Sequence, residues 1–255
     1  MERWNGMNAI VRFAELPEPG EWLANHRLAV IMPAKDEVAV IADVVTSLSR
    51  LYPSLPVIVV DDASEDDTAR IAEKNGAIVL RLPVALGAWG AIQTGMRYAL
   101  HLGYDTVVTM DADGQHMAEE IPKLLEIKCR EASDVVIGAF PERGSPARRL
   151  AWRFFRLLSG FSLADLTSGF RVYGRQALWM LASPRATLLE YQDLGVLLMV
   201  RFAGLKISET PVRMRPRLAG KSRVFSSWWQ VSIYLAQTVL LLLSFVHQRR
   251  RFRAK

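Results

Sequence analysis

The chain has 255 residues, 51% of them hydrophobic, enough to bury one substantial core of the size common in single α/β domains. Its formal charge of +6 is uneven: Thr210–Lys255 holds ten Lys/Arg and no Asp/Glu, which leaves 22 basic against 26 acidic residues, or −4, elsewhere. A lone Cys129 excludes an internal disulfide framework, and with no zinc-finger, homeodomain or RNP pattern beside it, the basic tail suits an anionic membrane surface rather than nucleic acid.

Met1–Arg27 is weakly patterned, with Pro17, Pro19 and Gly20, and reads as a surface arm (residues 1–27). Its first residues, Met1 to Phe13, lack an apolar signal-peptide core, so a reducing cytosol is expected. Leu28-Ala-Val-Ile-Met-Pro33 has the pattern of a short buried strand, and a helical stretch follows to Arg50. Pro56-Val-Ile-Val-Val60 is the second strand. It ends in Asp61-Asp62-Ala63-Ser64-Glu65-Asp66-Asp67-Thr68, where Ser64 is placed to cap the next helix while Asp61 and Asp62 precede the cap.

Ala77–Leu82 is a third strand. Gly87-Ala-Trp-Gly90-Ala-Ile-Gln-Thr-Gly95 then opens a helix to about Leu102. This glycine spacing does not fit a dinucleotide fingerprint; it suits close packing of a helix on a sheet or a ligand. A helix near Met117–Cys129 and a strand at Asp134-Val-Val-Ile-Gly138 complete an alternation that implies a parallel, doubly wound sheet.

Between these elements lies Thr106-Val-Val-Thr-Met-Asp111-Ala-Asp113-Gly-Gln115-His116. An apolar, β-branched run that stops at two carboxylates reads as a buried strand delivering Asp111 and Asp113 to its C-terminal edge, where open α/β sheets bind ligands. Two hard oxygen donors on a turn suit Mg²⁺ or Mn²⁺, with water and diphosphate oxygens completing the shell. An acidic solvated turn is the competing reading, because Asp and Gly are ordinary turn residues.

Beyond Gly138, Arg148, Arg149, Arg153 and Arg156 interleave with Leu150, Trp152, Phe154, Phe155 and Leu157 in a basic amphipathic helix. Asp165-Leu-Thr-Ser-Gly-Phe-Arg171 follows it, and Glu190-Tyr-Gln-Asp193 opens the next helix. Either acidic site supplies a carboxylate for chemistry or a helix cap. In the tail, Phe225–Val246 would extend about 33 Å as a helix, long enough to span a bilayer. Ser226, Gln230, Gln237, Ser244 and Gln248 form one polar stripe on it, however, and a span would export Arg249–Lys255 against the positive-inside tendency. An interfacial helix is therefore favoured over a span or a docked helix.

Five motifs in order, Pro33-Ala-Lys-Asp-Glu37, Val60-Asp61-Asp62-Ala-Ser64, Asp111-Ala-Asp113-Gly-Gln115-His116, Thr167-Ser-Gly-Phe-Arg171 and Arg217-Leu-Ala-Gly-Lys-Ser222-Arg223, resemble the family 2 glycosyltransferases. Within that family the likeness is to the dolichyl-phosphate mannosyltransferase-like, polyprenyl-phosphate sugar transferases, and it covers roughly Leu28 to Leu243. The resemblance implies a GT-A fold at residues 28–223, a mostly parallel Rossmann-like sheet flanked by helices, with residues 224–255 as a membrane-associating helix and basic tail. It also implies a nucleotide-diphospho-sugar donor and a Mg²⁺ or Mn²⁺ cofactor. By motif match, Pro33, Lys35, Glu37, Val60 and Asp62 would line the nucleoside pocket. Asp111, Ala112, Asp113 and Gln115 would hold metal and diphosphate, with Asp111, Asp113 and Gln115 on the metal; Arg217, Ser222 and Arg223 would close over phosphates. Lys35-Asp36 stands where relatives often have Tyr-Asn, and Ala85 where many have Asn before Leu-Gly.

The expected reaction is inverting transfer of a sugar to a polyprenyl phosphate at the cytosolic face of the membrane. A small membrane-protein partner or a homo-oligomer is compatible with it. A lipid phosphate is already anionic and needs no strong base; a saccharide hydroxyl would need a carboxylate, for which Asp165 and Asp193 are the candidates, Asp165 favoured, while Asp113, on the metal, is the third catalytic candidate. His116 either touches the diphosphate or packs beside the turn. Asp-x-Asp-Gly also opens the haloacid-dehalogenase phosphatases, although there it sits on the first strand and precedes Thr. A non-catalytic membrane adaptor on the same fold is the other alternative, and the Gly-rich loop of sugar nucleotidyltransferases is absent.

Overall fold

The computed structural model describes residues 27–143, 156, 160–189 and 194–215. Among them a seven-stranded sheet runs in the order β3-β2-β1-β4-β6-β5-β7. Its strands are β1 (Leu28–Ala34), β2 (Val57–Asp61), β3 (Ile78–Arg81), β4 (Thr106–Thr109), β5 (Val135–Ala139), β6 (Arg171–Tyr173) and β7 (Ile207–Pro211). The helices are α1 (Ile41–Leu51), α2 (Thr68–Lys74), α3 (Gly87–His101), α4 (Ile121–Arg130), α5 (Arg175–Leu181) and α6 (Leu194–Phe202).

Apolar residues on both faces of β1 explain its near-continuous hydrophobic run. Val30 and Met32 pack into a core shared with α1, α2 and α4, whereas Ala29 and Ile31 pack into one shared with α3, α5 and α6. The expected parallel sheet is interrupted once: β6 enters antiparallel between β4 and β5, pairing Arg171 with both Thr109 and Ile137. Neither β6 nor β7 was expected. With three and five residues, polar Ser208, Glu209 and Thr210 in the second, neither carries a long β-branched run. The expected helix at Met117–Cys129 begins with a 3-10 turn at Ala118–Glu120 before α4.

One glycine of α3, Gly95, serves the close packing on the sheet that the spacing suggested. A Cβ on Gly95 would lie 2.5 Å from Ile31 Cγ2 and 3.1 Å from Val60 Cγ2, so the helix rests on the sheet at a distance only hydrogen permits. Buried Gln93 locks the same helix to the turn after α5, donating to Leu181 O (2.8 Å) and Ser183 O (3.1 Å) and accepting from Thr187 Oγ1 (2.9 Å). Among the described residues no helix is long and apolar enough to cross a membrane. The basic helix at 148–157, Arg156 apart, and the tail beyond Arg215 lie outside the described residues, as do residues 1–26.

Gly95→Ala should overpack this contact and lower stability by about 1–3 kcal/mol. Urea unfolding of the purified protein measures it, and an unchanged midpoint would refute the packing role.

Candidate active site

Strand order reverses between β1 and β4, which sets the C-terminal ends of these two strands side by side at the edge where open α/β sheets bind ligands. The sequence loads this edge with oxygen acceptors. After β1, Asp36 adopts φ 51°, a left-handed conformation that Asn and Asp tolerate better than other side chains. Its Oδ1 accepts Glu65 N–H (2.9 Å), and its own N–H donates to Ser64 Oγ (2.9 Å). Asp36 in place of a relative's Asn thus keeps both the backbone conformation and the acceptor.

Ser64 does not cap α2, contrary to expectation. Its hydroxyl joins the first loop instead, and Thr68 Oγ1 does the same by accepting Glu37 N–H (2.8 Å). Asp66 takes the start of α2, accepting Thr68 N–H (2.9 Å) as well as the Thr68 hydroxyl and Val38 N–H (3.3 Å). Desolvation alone would raise the Asp66 pKa, but these hydrogen bonds outweigh it and hold the carboxyl below its ordinary value. Their stabilisation is complete above the unfolded pKa of about 4 and is lost as acidification passes the lower folded value.

The doubled acid after β2 divides its work. Both Asp62 oxygens are engaged, Oδ1 accepting Leu86 N–H (2.6 Å) and Oδ2 accepting Gly87 N–H (3.0 Å) at the start of α3. Asp61 is buried beside it, and its Oδ1 has no hydrogen-bond partner among the described residues. The open acceptor thus belongs to Asp61, which motif matching passed over in favour of Asp62. Val60 is wholly buried against α3, whereas Pro33, Lys35 and Glu37 are partly exposed at the edge.

After β4 the chain turns through Asp111–His116. Asp111 leaves 43% of its side chain exposed, whereas Asp113 is buried and its Oδ1 accepts Gln115 N–H (3.0 Å). The Ala112 side chain faces the core, which leaves only its backbone for a ligand. His116 orders the turn: its Nδ1 accepts Asp111 N–H (2.9 Å), its ring stacks on Phe170 (centroids 5.1 Å apart), and its Nε2 lies 3.7 Å from Asp111 Oδ2. Packing beside the turn, the second of its two expected roles, is what the geometry displays. Gln115 O in turn accepts Arg215 N–H (2.9 Å), and the chain after β7 is tied down by Arg213–Glu120 (2.5 Å) and Arg215–Glu119 (3.5 Å).

Asp165 is wholly buried, with Oδ2 accepting Phe140 N–H (3.3 Å) and Oδ1 accepting the Thr167 amide (3.1 Å) and hydroxyl (3.2 Å). Glu209, which sequence reasoning missed, accepts the amides of Ala164 (2.8 Å) and Asp165 (2.8 Å) from β7. Asp165 is therefore placed to shape the loop before β6. Arg171, also wholly buried, donates to Ser168 O (2.7 Å) and Leu166 O (2.9 Å) and fixes the same segment. Asp193, Arg217, Ser222 and Arg223 lie outside the described residues.

No three His, Cys, Asp or Glu side chains converge into a metal cage among the described residues. The donor set fits a cation that takes one or two carboxylates from protein and the rest of its shell from water and phosphate, as Mg²⁺ and Mn²⁺ do.

Comparison with known proteins places this arrangement. The family described as Glycosyl transferase family 2 matches residues 29–181. The undecaprenyl-phosphate mannosyltransferase of Micrococcus luteus is 31% identical over 217 residues, 78% of this chain and 87% of its own length. The UDP-N-acetylglucosamine–dolichyl-phosphate N-acetylglucosaminyltransferase of Methanococcus voltae is 28% identical over 220 residues, 75% of this chain and 86% of its own. Among solved structures, glucosyl-3-phosphoglycerate synthase of Mycobacterium tuberculosis in complex with Mn²⁺, UDP and phosphoglyceric acid is similar with a TM-score of 0.66 and 26% identity. That likeness covers 87% of this chain and 78% of the synthase.

Asp165→Ala should strand the Phe140 and Thr167 amides and cost about 1–3 kcal/mol of stability. A catalytic base with no structural duty would be lost without such a cost, so an unchanged denaturation midpoint would return Asp165 to that role.

Proposed function

The chain belongs to glycosyl transferase family 2 and is a glycosyltransferase, and from that premise we propose that it moves a sugar from a nucleotide-diphospho-sugar to a polyprenyl phosphate, with Mg²⁺ or Mn²⁺, at the cytosolic membrane face. Family membership sets aside the haloacid-dehalogenase alternative. The observation that carries the reading is the Asp111–Asp113 turn at the point where strand order reverses, with one carboxylate open to solution and the other fixed against its own backbone.

Breaking the anomeric bond leaves negative charge on the departing diphosphate. A divalent cation, when bound, neutralises that charge. Asp111 and Asp113 would hold the cation, with Gln115 beside them on the turn. Asp61 supports a nucleoside next to it: a buried acceptor oxygen without a partner among the described residues calls for a donor, and a nucleobase N–H supplies one. Asp62 contributes indirectly, by holding the loop before α3 against the same edge. Arg217, Ser222 and Arg223 follow directly on the segment tied to Gln115, and a basic group arriving there would bind phosphate oxygens.

The buried, fully used Asp165 carboxylate favours an acceptor that arrives already ionised. A lipid phosphate meets that requirement, because it is an anion near neutral pH and attacks without surrendering a proton. The mannosyltransferase and N-acetylglucosaminyltransferase relatives, whose names carry undecaprenyl phosphate and dolichyl phosphate, support the same acceptor class. The basic, apolar segment from residue 224 to 255 would hold the enzyme at the membrane that contains it.

Incubation with labelled nucleotide sugars, Mn²⁺ or Mg²⁺, and undecaprenyl or dolichyl phosphate should give an extractable lipid-linked product with at least one donor. Asp113→Ala should reduce its formation by about 100-fold or more while leaving the circular dichroism spectrum intact. Undiminished turnover would remove the metal role, and failure to bind any nucleotide sugar would favour the adaptor. Deleting residues 225–255 should release the protein from vesicles containing anionic lipid; unchanged co-sedimentation would refute the anchoring.

A further inference from the structure

Three consecutive residues before β6 are fixed by different means, Ser168 to β5, Gly169 to β4 and Phe170 to the Asp111–His116 turn. Ser168 Oγ donates to Gly138 O (2.6 Å), and Phe170 stacks on His116. Between them Gly169 accepts a 2.7 Å hydrogen bond from Thr109 Oγ1 on its carbonyl, which ties it to the end of β4. Its backbone is outside the left-handed region, so conformation alone does not demand glycine there.

The demand comes from Asp111. A Cβ on Gly169 would sit 2.7 Å from Asp111 Oδ1, 3.2 Å from Oδ2 and 3.3 Å from Cγ. A methyl and the carboxylate cannot share that space. Neither backbone is placed to yield: Arg171 is paired in the sheet on both sides, and Asp111 N–H is held by His116 Nδ1. The side chain of Asp111, 43% exposed, is free to swing toward solvent about its own torsions. Adding one carbon at position 169 would therefore move the carboxylate and leave the fold standing.

We propose that Gly169 is a positioning residue for the metal-binding carboxylate, an empty slot in the Thr-Ser-Gly-Phe-Arg motif that lets Asp111 lie back against the chain. The inference rests on the reading of Asp111 as a metal ligand given above. It makes two motifs far apart in sequence one unit: the second supplies no donor atom to the cation but sets where the first places its own.

Mn²⁺ binding to the full chain, followed by the electron paramagnetic resonance of free Mn²⁺ in the presence of UDP or GDP, tests this in Gly169→Ala, Asp111→Ala and the double variant. Gly169→Ala should weaken Mn²⁺ binding by about 10- to 100-fold, the range for a residue that orients a ligand. Its thermal midpoint should stay within a few degrees of the parent, and transfer activity should partly return at saturating Mn²⁺. The double variant should bind Mn²⁺ no more weakly than Asp111→Ala alone. Unchanged affinity in Gly169→Ala beside a loss in Asp111→Ala would overturn the positioning role, as would a stability loss that persists in the double variant, where no carboxylate remains to clash. Unchanged affinity in Asp111→Ala would instead dismiss the metal reading itself.

Discussion

Backbone amides that leave a parallel sheet at its C-terminal edge no longer face a neighbouring strand, and each buried one needs an acceptor from somewhere else. In this chain side-chain oxygens meet that need. Ser64, Thr68, Asp36 and Asp66 bind the amides of the first two loops, Asp62 those before α3, Asp113 that of Gln115, and Asp165 and Glu209 those of the segment leading to β6. The edge is thereby made rigid by the residue types that also serve as ligands. Asp111 and Asp61 differ from these acids in having oxygen left over, the first by exposure and the second by a buried atom with no partner among the described residues.

The same duality explains which parts of the molecule could be read from sequence. β1, β2, β4 and β5 are legible because strands buried on both faces must be apolar throughout, and their order with α1 to α4 fixes the doubly wound half. The close packing of Gly95 is legible in kind, since a row of small residues on a helix has few other uses. The roles of individual acids are not. Asp62 and Asp165 are hydrogen-bond acceptors for loops, as Asp113 is in part, and nothing in their immediate sequence separates them from Asp111. Distance in the chain hides the rest: Glu209 serves an amide 44 residues away, and Gly169 is abreast of Asp111 only because β6 inserts beside β4.

That antiparallel insertion has a chemical consequence. Had β5 paired with β4 directly, as in an uninterrupted parallel sheet, no antiparallel strand would enter beside Asp111. With β6 running the other way, the chain approaches Asp111 from outside the sheet and enters it there, held by buried Arg171 and by Thr109. An incoming loop brings its own amides and side chains to that edge, and here it also brings the one glycine that tolerates the carboxylate.

The opposite wall is built by ion pairs. Glu120 is buried while its partner Arg213 is largely exposed, so the pair's contribution comes from satisfying the carboxylate rather than from burying two charges, and solvent screening keeps it modest. Its value is geometric. Together with Arg215 and the bridge between His116 and Met214, it returns the chain to the metal turn after more than ninety residues. Arg215, the last described residue, thus lies beside the turn that carries the two aspartates. The described acids of this edge are largely engaged in holding loops, while ten of the 32 Lys/Arg follow from Thr210 onward in a stretch of sequence without Asp or Glu.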